Sequence, residues 1–141
     1  MLDGEFSLPL RVYIEDTDAG GIVYYVNYLK YMERARTEFM RSLGFDRSRI
    51  FSAECLFVVR DIALVYHTPA RLDDELAASV SVIAARGARL SLFQSVRRVD
   101  ELLVCADVTI ACVSRDELRP RRMPGDMLAT LRERVTLVPT A

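Results

Sequence analysis

The sequence predicts an α+β domain in which an antiparallel sheet of about five strands wraps around one long central helix. Three observations support this prediction. A strand-like run opens the chain, a helix with a regular apolar stripe follows it, and four more strand-like runs come after the helix. The helix needs a surface that buries its stripe, and a curved sheet provides one. We therefore expect a single domain over residues 1–141.

A short strand is the first predicted element. It covers Leu8 to Glu15, with Pro9 at its entry and with Val12 and Ile14 on one face. The residues from Asp16 to Val26 break the alternation, and they are predicted to form a loop that leads into the helix.

The helix is the clearest element in the sequence. Asn27 is its predicted N-cap, because an Asn side-chain oxygen can accept a hydrogen bond from an amide of the first turn. Gly44 is the predicted C′ residue that ends the helix. The apolar residues that recur at helical spacing are Tyr28, Tyr31, Met32, Ala35, Phe39, Met40 and Leu43.

Four strand-like runs follow the helix. They cover roughly Leu56 to His67, Glu75 to Ala85, Arg89 to Val99 and Leu102 to Ser114. The gaps Arg86-Gly87-Ala88 and Asp100-Glu101 are typical of hairpin turns. Met127 to Val135 is predicted to form a short closing helix. The two edges of such a sheet stay exposed, so edge-to-edge pairing in a homo-oligomer, a dimer or a tetramer, would satisfy them.

The composition narrows the function classes. The net charge of -1 gives no reason to expect a nucleic-acid partner, and the apolar content of 51% argues against disorder. No apolar run approaches the roughly 20 residues that span a bilayer, and the first residues do not resemble a signal peptide. Three cysteines without metal-ligand spacing fit a reducing cytoplasm.

The predicted loop carries the residues with the clearest chemistry. Glu15, Asp16 and Asp18 lie within four positions, and Gly20 and Gly21 follow them. A carboxylate here could attack a carbonyl carbon or deprotonate a water, while amides at the helix N-terminus stabilise an oxyanion. The glycines would let the backbone approach a substrate closely. The alternative is structural, because acidic turns before helices also cap and complement the helix dipole.

The segment VYIEDTDAGGIVYYVNYLKYMERARTEF closely resembles the active-site segment of hotdog-fold acyl-CoA thioesterases of the 4-hydroxybenzoyl-CoA thioesterase family. It is most similar to the YbgC-type branch, which is associated with the bacterial Tol–Pal system. The similarity continues through VYHTPARLDDEL and RPRRMP, so it covers nearly the whole chain. It implies a hotdog fold, which is the helix wrapped in a sheet described above.

The resemblance implies a role for each residue of the motif. Asp18 would be the catalytic carboxylate, as nucleophile or general base, and Asp16 a supporting residue. Gly21, Tyr25 and Asn27 would lie in the region that binds the substrate and stabilises the oxyanion. The branch usually carries His where this chain has Tyr25. Tyr25 would either line the acyl pocket or only pack, which leaves open whether the acyl group is short aliphatic, long-chain or aryl.

Other candidate residues carry weaker signals. Glu33 falls in the family's helix pattern and would support the loop or form a salt bridge on the helix. Arg86, Arg89 and Ser91 resemble the region that binds CoA phosphates in the family, but a solvated hairpin tip would look the same. The loop arginines Arg119, Arg121 and Arg122 are similar candidates. His67 is the single histidine, and a structural role is the simpler interpretation.

These observations predict a cytoplasmic thioesterase that hydrolyses acyl-CoA, or an acyl group on a carrier protein. A thioester is already activated, so no metal and no redox cofactor is needed. Residues of a partner chain would complete the pocket. Two alternatives remain: a hotdog dehydratase, which would need a histidine in the site, and a non-catalytic partner of acyl carrier protein or of phospholipid-synthesis enzymes.

Overall fold

The computed structural model describes residues 5–46, 48 and 55–136. In this part of the chain one sheet of five strands is accompanied by two α-helices. A single 3₁₀ turn, Ile14–Asp16, precedes the first helix. The elements are β1 (Phe6–Arg11), α1 (Asn27–Ser42), β2 (Leu56–Tyr66), β3 (Glu75–Arg86), β4 (Arg89–Arg98), β5 (Glu101–Val113) and α2 (Gly125–Glu133).

The strands follow the order β1-β3-β4-β5-β2, and each neighbouring pair is antiparallel. The predicted hairpins between β3 and β4 and between β4 and β5 are confirmed. Gly87 has a φ of 52° at the tip of the first hairpin, a conformation that glycine adopts without strain. β1 and β2 form the two edges of the sheet.

The core lies between α1 and the inner face of the sheet. The predicted apolar stripe of α1 is buried, apart from the half-buried Leu43 at its end. Its counterpart on β5 is the face formed by Ala106, Val108, Ile110 and Cys112, all of which are buried. α1 packs on β1, β3 and β4, and α2 packs against β3. The predicted sheet around a central helix is therefore confirmed, and so is the short closing helix.

The start of the chain differs from its prediction. β1 ends at Arg11 rather than at Glu15, and Val12 and Ile14 do not share a face. Val12 is fully buried whereas Ile14 is 76% exposed. The cause is the 3₁₀ turn, which Asp16 closes by donating its backbone N–H to the Tyr13 carbonyl at 3.0 Å.

The prediction that Asn27 is the N-cap of α1 was wrong. Val26 occupies that position, and Asn27 is the first residue of the helix. The side chain of Asn27 is turned toward Asp16 instead. Gly44 follows the C-cap Leu43 with a φ of 93°, so its predicted role as the C′ residue is confirmed. No helix of the described residues is long and apolar enough to cross a membrane.

Candidate active site

Asp18 lies exposed at the tip of the loop between the 3₁₀ turn and α1. The loop folds back on itself, because the Asp18 N–H donates to the Ile22 carbonyl at 2.9 Å and the Gly21 N–H donates to the Asp18 carbonyl at 3.1 Å. The Gly20 N–H donates to Asp18 Oδ1 at 2.8 Å. A Cβ at Gly20 would lie 3.3 Å from that oxygen, so glycine permits this contact. Gly21 has a φ of 75°, which also requires glycine.

The loop is fastened to the segment that precedes β3. Val23 donates its N–H to the Ala70 carbonyl at 2.8 Å, and Leu72 donates to the Gly21 carbonyl at 3.1 Å. The Ala70 N–H in turn donates to the hydroxyl of Tyr28 on α1 at 2.9 Å. The position of Asp18 thus depends on residues that lie about fifty positions later in the chain.

An ion pair holds this segment in place. Arg98 Nη1 lies 2.6 Å from Asp74 Oδ2, and the Arg71 N–H donates to the same carboxylate oxygen at 2.8 Å. Burial acts to raise the pKa of Asp74, but the Arg71 amide and Arg98 outweigh it and lower that pKa below its ordinary value. The folded state therefore favours the ionised carboxylate.

Asp74→Asn is expected to lower the free energy of unfolding at pH 7 by about 1 kcal/mol, because it removes a charge-assisted pair that is still partly hydrated. A lowered folded-state pKa stabilises the protein above the unfolded pKa of about 4, and this stability is lost as the pH falls further. Urea unfolding between pH 3 and 7 should therefore show that the free energy of unfolding falls less toward acid pH in the variant than in the wild type. An equal fall in both proteins would contradict the prediction.

Asp16 is buried below the loop, with 6% of its surface exposed. Its Oδ2 accepts a hydrogen bond from the Tyr13 N–H at 2.9 Å, and its Oδ1 accepts one from Asn27 Nδ2 at 3.0 Å. One carboxylate thus joins both ends of the loop, the 3₁₀ turn and the first turn of α1. The hydroxyl of Tyr31 is buried beside this pair, and burial followed by the negative charge of Asp16 raises the pKa of Tyr31.

Asp16→Asn is expected to destabilise the protein by about 2 kcal/mol, because an amide nitrogen would face one of the two donors and leave it unsatisfied. The neighbouring Glu15→Gln is the matched control, since Glu15 is exposed and its replacement should cost less than about 0.5 kcal/mol. Urea denaturation of the two variants measures the difference. Equal unfolding free energies would show that Asp16 does not hold the loop.

The N-terminus of α1 leaves a small set of backbone donors beside the loop. The Asn27 N–H donates to the Tyr24 carbonyl at 2.8 Å, and the Leu29 N–H donates to the Val26 carbonyl at 3.0 Å. Within the described part of the chain, nothing accepts a hydrogen bond from the amides of Tyr25, Val26 or Tyr28. These three N–H groups are available as donors to a developing oxyanion, whereas the backbone N–H of Asn27 already has an acceptor.

Tyrosine rings border these amides. Tyr25 is 60% exposed, and its ring centroid lies 4.9 Å from that of Tyr24 and 6.3 Å from that of Tyr66. Tyr66 also contacts the buried ring of Tyr28, with 5.8 Å between the ring centroids. The structure thus places Tyr25 at the surface beside the loop, in contact with other rings and with solvent.

Glu33 lies nearly two turns into α1, and among the described residues no hydrogen bond or ion pair joins it to the loop. It lines a cavity of about 220 Å³ between α1 and the start of β2. Arg36 lines the same cavity and donates to the buried Oε1 of Gln94 at 2.9 Å. Burial lowers the pKa of Arg36, and the nearby charge of Glu33 opposes this shift. Glu33 thus stabilises the charge of Arg36, which lies one turn further along α1. The apolar walls of the cavity are Phe39, Met40, Phe57, Val58, Val59, Leu90, Leu92 and Ile110.

The structure brings the two arginine clusters together. The Met123 N–H donates to the Gly87 carbonyl at 2.9 Å and the Arg121 N–H to the Cys112 carbonyl at 2.8 Å, so the loop before α2 packs on the β3–β4 hairpin and the end of β5. This exposed basic patch consists of Arg86, Arg89, Arg119, Arg121 and Arg122. It lies at the far end of β3 from the Asp18 loop, about 36 Å along the strand. Ser91 is half-buried on β4, close to the hairpin.

Comparison with known proteins identifies the family. Residues 12–131 match the sequence profile of the thioesterase-like superfamily. The chain belongs to this superfamily. It is 42% identical over 130 residues to the acyl-CoA thioesterase YbgC of Haemophilus influenzae, which covers 92% of this chain and 96% of the relative. The resemblance to YbgC-type thioesterases is therefore confirmed.

Solved structures of thioesterases confirm the hotdog fold. A probable thioesterase from Bartonella henselae superposes with a TM-score of 0.81 at 35% identity, over 85% of this chain and 99% of that one. A 1,4-dihydroxy-2-naphthoyl-CoA thioesterase from Synechocystis superposes with a TM-score of 0.83 at 20% identity, over 92% and 96% of the two chains. At 20% identity, the similarity to the Synechocystis structure shows only that the two chains share a fold.

Several residues around the Asp18 loop were not singled out from the sequence. Ala70, Asp74 and Arg98 hold the loop, and Tyr66 lies against Tyr25. Most of them fall in the segment VYHTPARLDDEL, which the family resemblance includes. The family resemblance could therefore have pointed to these residues. The spacing of residues along the chain could not, because it does not show that this segment contacts the loop.

His67 lies outside the Asp18 loop, directly after the end of β2. Its Nε2 lies 3.6 Å from Cys105 Sγ, and its backbone N–H donates to the Leu103 carbonyl at 2.8 Å. Successive strand residues point to opposite faces, so this ring lies on the opposite side from Tyr66. Burial raises the pKa of Cys105, which does not favour a reactive thiolate. This placement lends no support to a dehydratase, which would need a histidine beside Asp18.

Proposed function

We propose that this thioesterase hydrolyses acyl-CoA, with Asp18 as the catalytic carboxylate. The observation that carries the proposal is an exposed carboxylate on a short loop that leads into a helix N-terminus with three unused amides. Those amides can hold the thioester oxygen while the carboxylate acts on the carbonyl carbon. The curated relatives named acyl-CoA thioesterases support the choice of CoA as the thiol.

Two routes use the same geometry. As a nucleophile, Asp18 attacks the carbonyl carbon, the C–S bond breaks and CoA leaves as a thiolate that takes up a proton; water then hydrolyses the acyl-aspartyl anhydride. As a general base, Asp18 takes a proton from water, the hydroxide attacks, and the proton passes to the departing CoA sulfur. Both routes give a free acid and CoA.

The site is completed by a second copy of the chain in this proposal. The edge strand β2 is exposed along most of its length, including Val58, Val59, Val65 and Tyr66. Antiparallel pairing of β2 with its copy would place the Tyr66 end of one chain beside the Leu56 end of the other. The Asp18 loop of one subunit would then adjoin the cavity and the basic patch of its partner.

The basic patch would bind the phosphates of CoA. Arg86 and Arg89 lie too far from Asp18 of their own chain for one CoA to reach both, and a dimer removes that obstacle. Guanidinium groups bind phosphate oxygens through paired donors, so the chemistry is suitable. Ser91 and the loop arginines of the patch would provide further hydrogen-bond donors to the CoA phosphates. An acidic carrier protein bearing the acyl group is an alternative occupant of this surface.

The experiment that tests the proposal measures CoA thiol release by the wild-type protein over a panel of short aliphatic, long-chain and aryl acyl-CoAs. The three classes are needed because Tyr25 does not settle the acyl preference. Asp18-dependent turnover of any of them supports the proposal. No turnover of the panel, together with binding of an acyl carrier protein that Asp18→Asn leaves unchanged, would replace it with the non-catalytic alternative.

The buried thiols Cys55, Cys105 and Cys112 support a reducing compartment, and we propose that the reaction takes place in the cytoplasm. The association with the Tol–Pal system that the resemblance implies stays a prediction.

A further inference from the structure

Tyr66, the last residue of β2, contacts the backbone just before α1. Its hydroxyl donates to the carbonyl oxygen of Tyr25 at 2.9 Å. The ring of Tyr66 is fixed between the rings of Tyr25 and Tyr28, at centroid distances of 6.3 and 5.8 Å. Because Tyr28 is buried and its own hydroxyl accepts the Ala70 N–H, Tyr66 rests on a rigid part of the core.

This hydrogen bond determines the direction of one unused amide. The carbonyl of Tyr25 and the N–H of Val26 belong to the same peptide group, and in a planar trans peptide the two point in opposite directions. Holding the carbonyl toward β2 therefore turns the Val26 N–H away from β2. Within the described residues this N–H has no acceptor. A hydrogen bond to the carbonyl also polarises the peptide, which makes its N–H a stronger donor.

We propose that Tyr66 is a positioning residue, which aims the Val26 N–H at the thioester oxygen through its bond to the Tyr25 carbonyl. The inference rests on the proposed function, because it assigns a task to an amide of the same site. Tyr66 does not touch the reacting atoms. Its contribution is expected in the transition state, because the thioester oxygen gains negative charge there. A Val26 N–H that points in another direction would stabilise this charge less well.

Tyr66→Phe removes the hydroxyl and keeps the ring, so it is the direct test. We expect kcat to fall about tenfold with KM within about twofold, a smaller loss than deletion of an oxyanion donor produces. Tyr13→Phe is the matched control, because Tyr13 is 60% exposed and its hydrogen bonds with Asp16 use its backbone N–H and carbonyl, which the substitution keeps. If Tyr66 had a purely structural role, Tyr66→Phe would lower the stability of the protein, and its kcat/KM would equal that of Tyr13→Phe.

A second variant keeps the hydroxyl but changes its acidity. Burial, and then Tyr25, raise the pKa of Tyr66, so its phenol remains a donor at neutral pH. Incorporation of 3,5-difluorotyrosine at position 66 gives a more acidic phenol. We expect this variant to be active at pH 6 and to lose kcat on the alkaline side at a lower pH than the wild type does. Tyr66→Phe should lack this alkaline step.

Asp18→Asn is assayed in parallel, which separates the two proposals. If turnover survives Asp18→Asn, the proposed function fails. If turnover depends on Asp18 but kcat is the same in the wild type, Tyr66→Phe and the fluorinated variant at every pH, only the role of Tyr66 is overturned. If Tyr66→Phe does not fold, the pH profile of the fluorinated variant decides the matter.

Discussion

Asp18→Asn is expected to lower kcat for acyl-CoA hydrolysis by about 10³-fold, with little change in KM. An amide can neither attack a carbonyl carbon nor take a proton from water. The loop should keep its shape, because the side-chain oxygen of Asn can still accept the Gly20 N–H that Asp18 accepts now. Release of CoA, followed with a thiol reagent, measures the effect.

The control for this variant is Glu15→Gln, which removes an exposed carboxylate three residues earlier and should leave kcat within about twofold. If Asp18→Asn kept more than one tenth of the wild-type activity, Asp18 would not be the catalytic carboxylate. Single-turnover hydrolysis in ¹⁸O-labelled water then tests the nucleophilic route. Label in the side chain of Asp18 indicates a nucleophile whose anhydride is opened at the aspartyl carbon, whereas label in the released acid alone is the outcome for a general base or for water attack at the acyl carbon.

Mixed dimers are expected to recover activity that neither parent dimer has. One parent carries Asp18→Asn, and the other carries Arg86→Ser with Arg89→Ser, which should lower kcat/KM about 100-fold through lost phosphate contacts. In a heterodimer, one of the two sites combines an intact Asp18 with the intact patch of the other chain. A random mixture should therefore regain about a quarter of the wild-type kcat/KM.

The control mixture places all three substitutions on one chain and combines it with Asp18→Asn. No site in that mixture has an intact Asp18, so no activity should return. Native mass spectrometry reports the fraction of heterodimer in each case. Heterodimers that form and remain inactive would contradict a site shared between subunits. Arg86 and Arg89 would then be ordinary solvated residues at the tip of a hairpin.

The elements of the fold could be predicted because each has a local signal. The apolar stripe from Tyr28 to Leu43 recurs at the helical period, and all four strands after it were placed within one residue of their observed ends. The first strand was predicted to begin two residues too late and to end four residues too late. Its alternation continues past Arg11, but the carboxylate of Asp16 accepts the Tyr13 N–H and favours a tight turn there.

The same carboxylate explains why Asn27 does not cap the helix. An N-cap asparagine binds an amide of its own helix, which is a local interaction that sequence spacing suggests. In the structure the Asn27 side chain donates to Asp16 instead, across the loop. A buried carboxylate requires donors more strongly than an exposed helix end does, because unpaired burial of a charge is far more costly.

The sequence by itself determined the helix, the strands, the glycine pair and the presence of Asp18 before a helix N-terminus, since each depends on neighbouring residues. Only the tertiary structure decided which amides stay unused, that the segment around Ala70 holds the loop, and that Tyr66 binds the Tyr25 carbonyl. It also placed Arg86 and Arg89 at the opposite end of the sheet from Asp18. These relations join residues far apart in the chain, and such contacts arise from the packing of strands rather than from any local pattern.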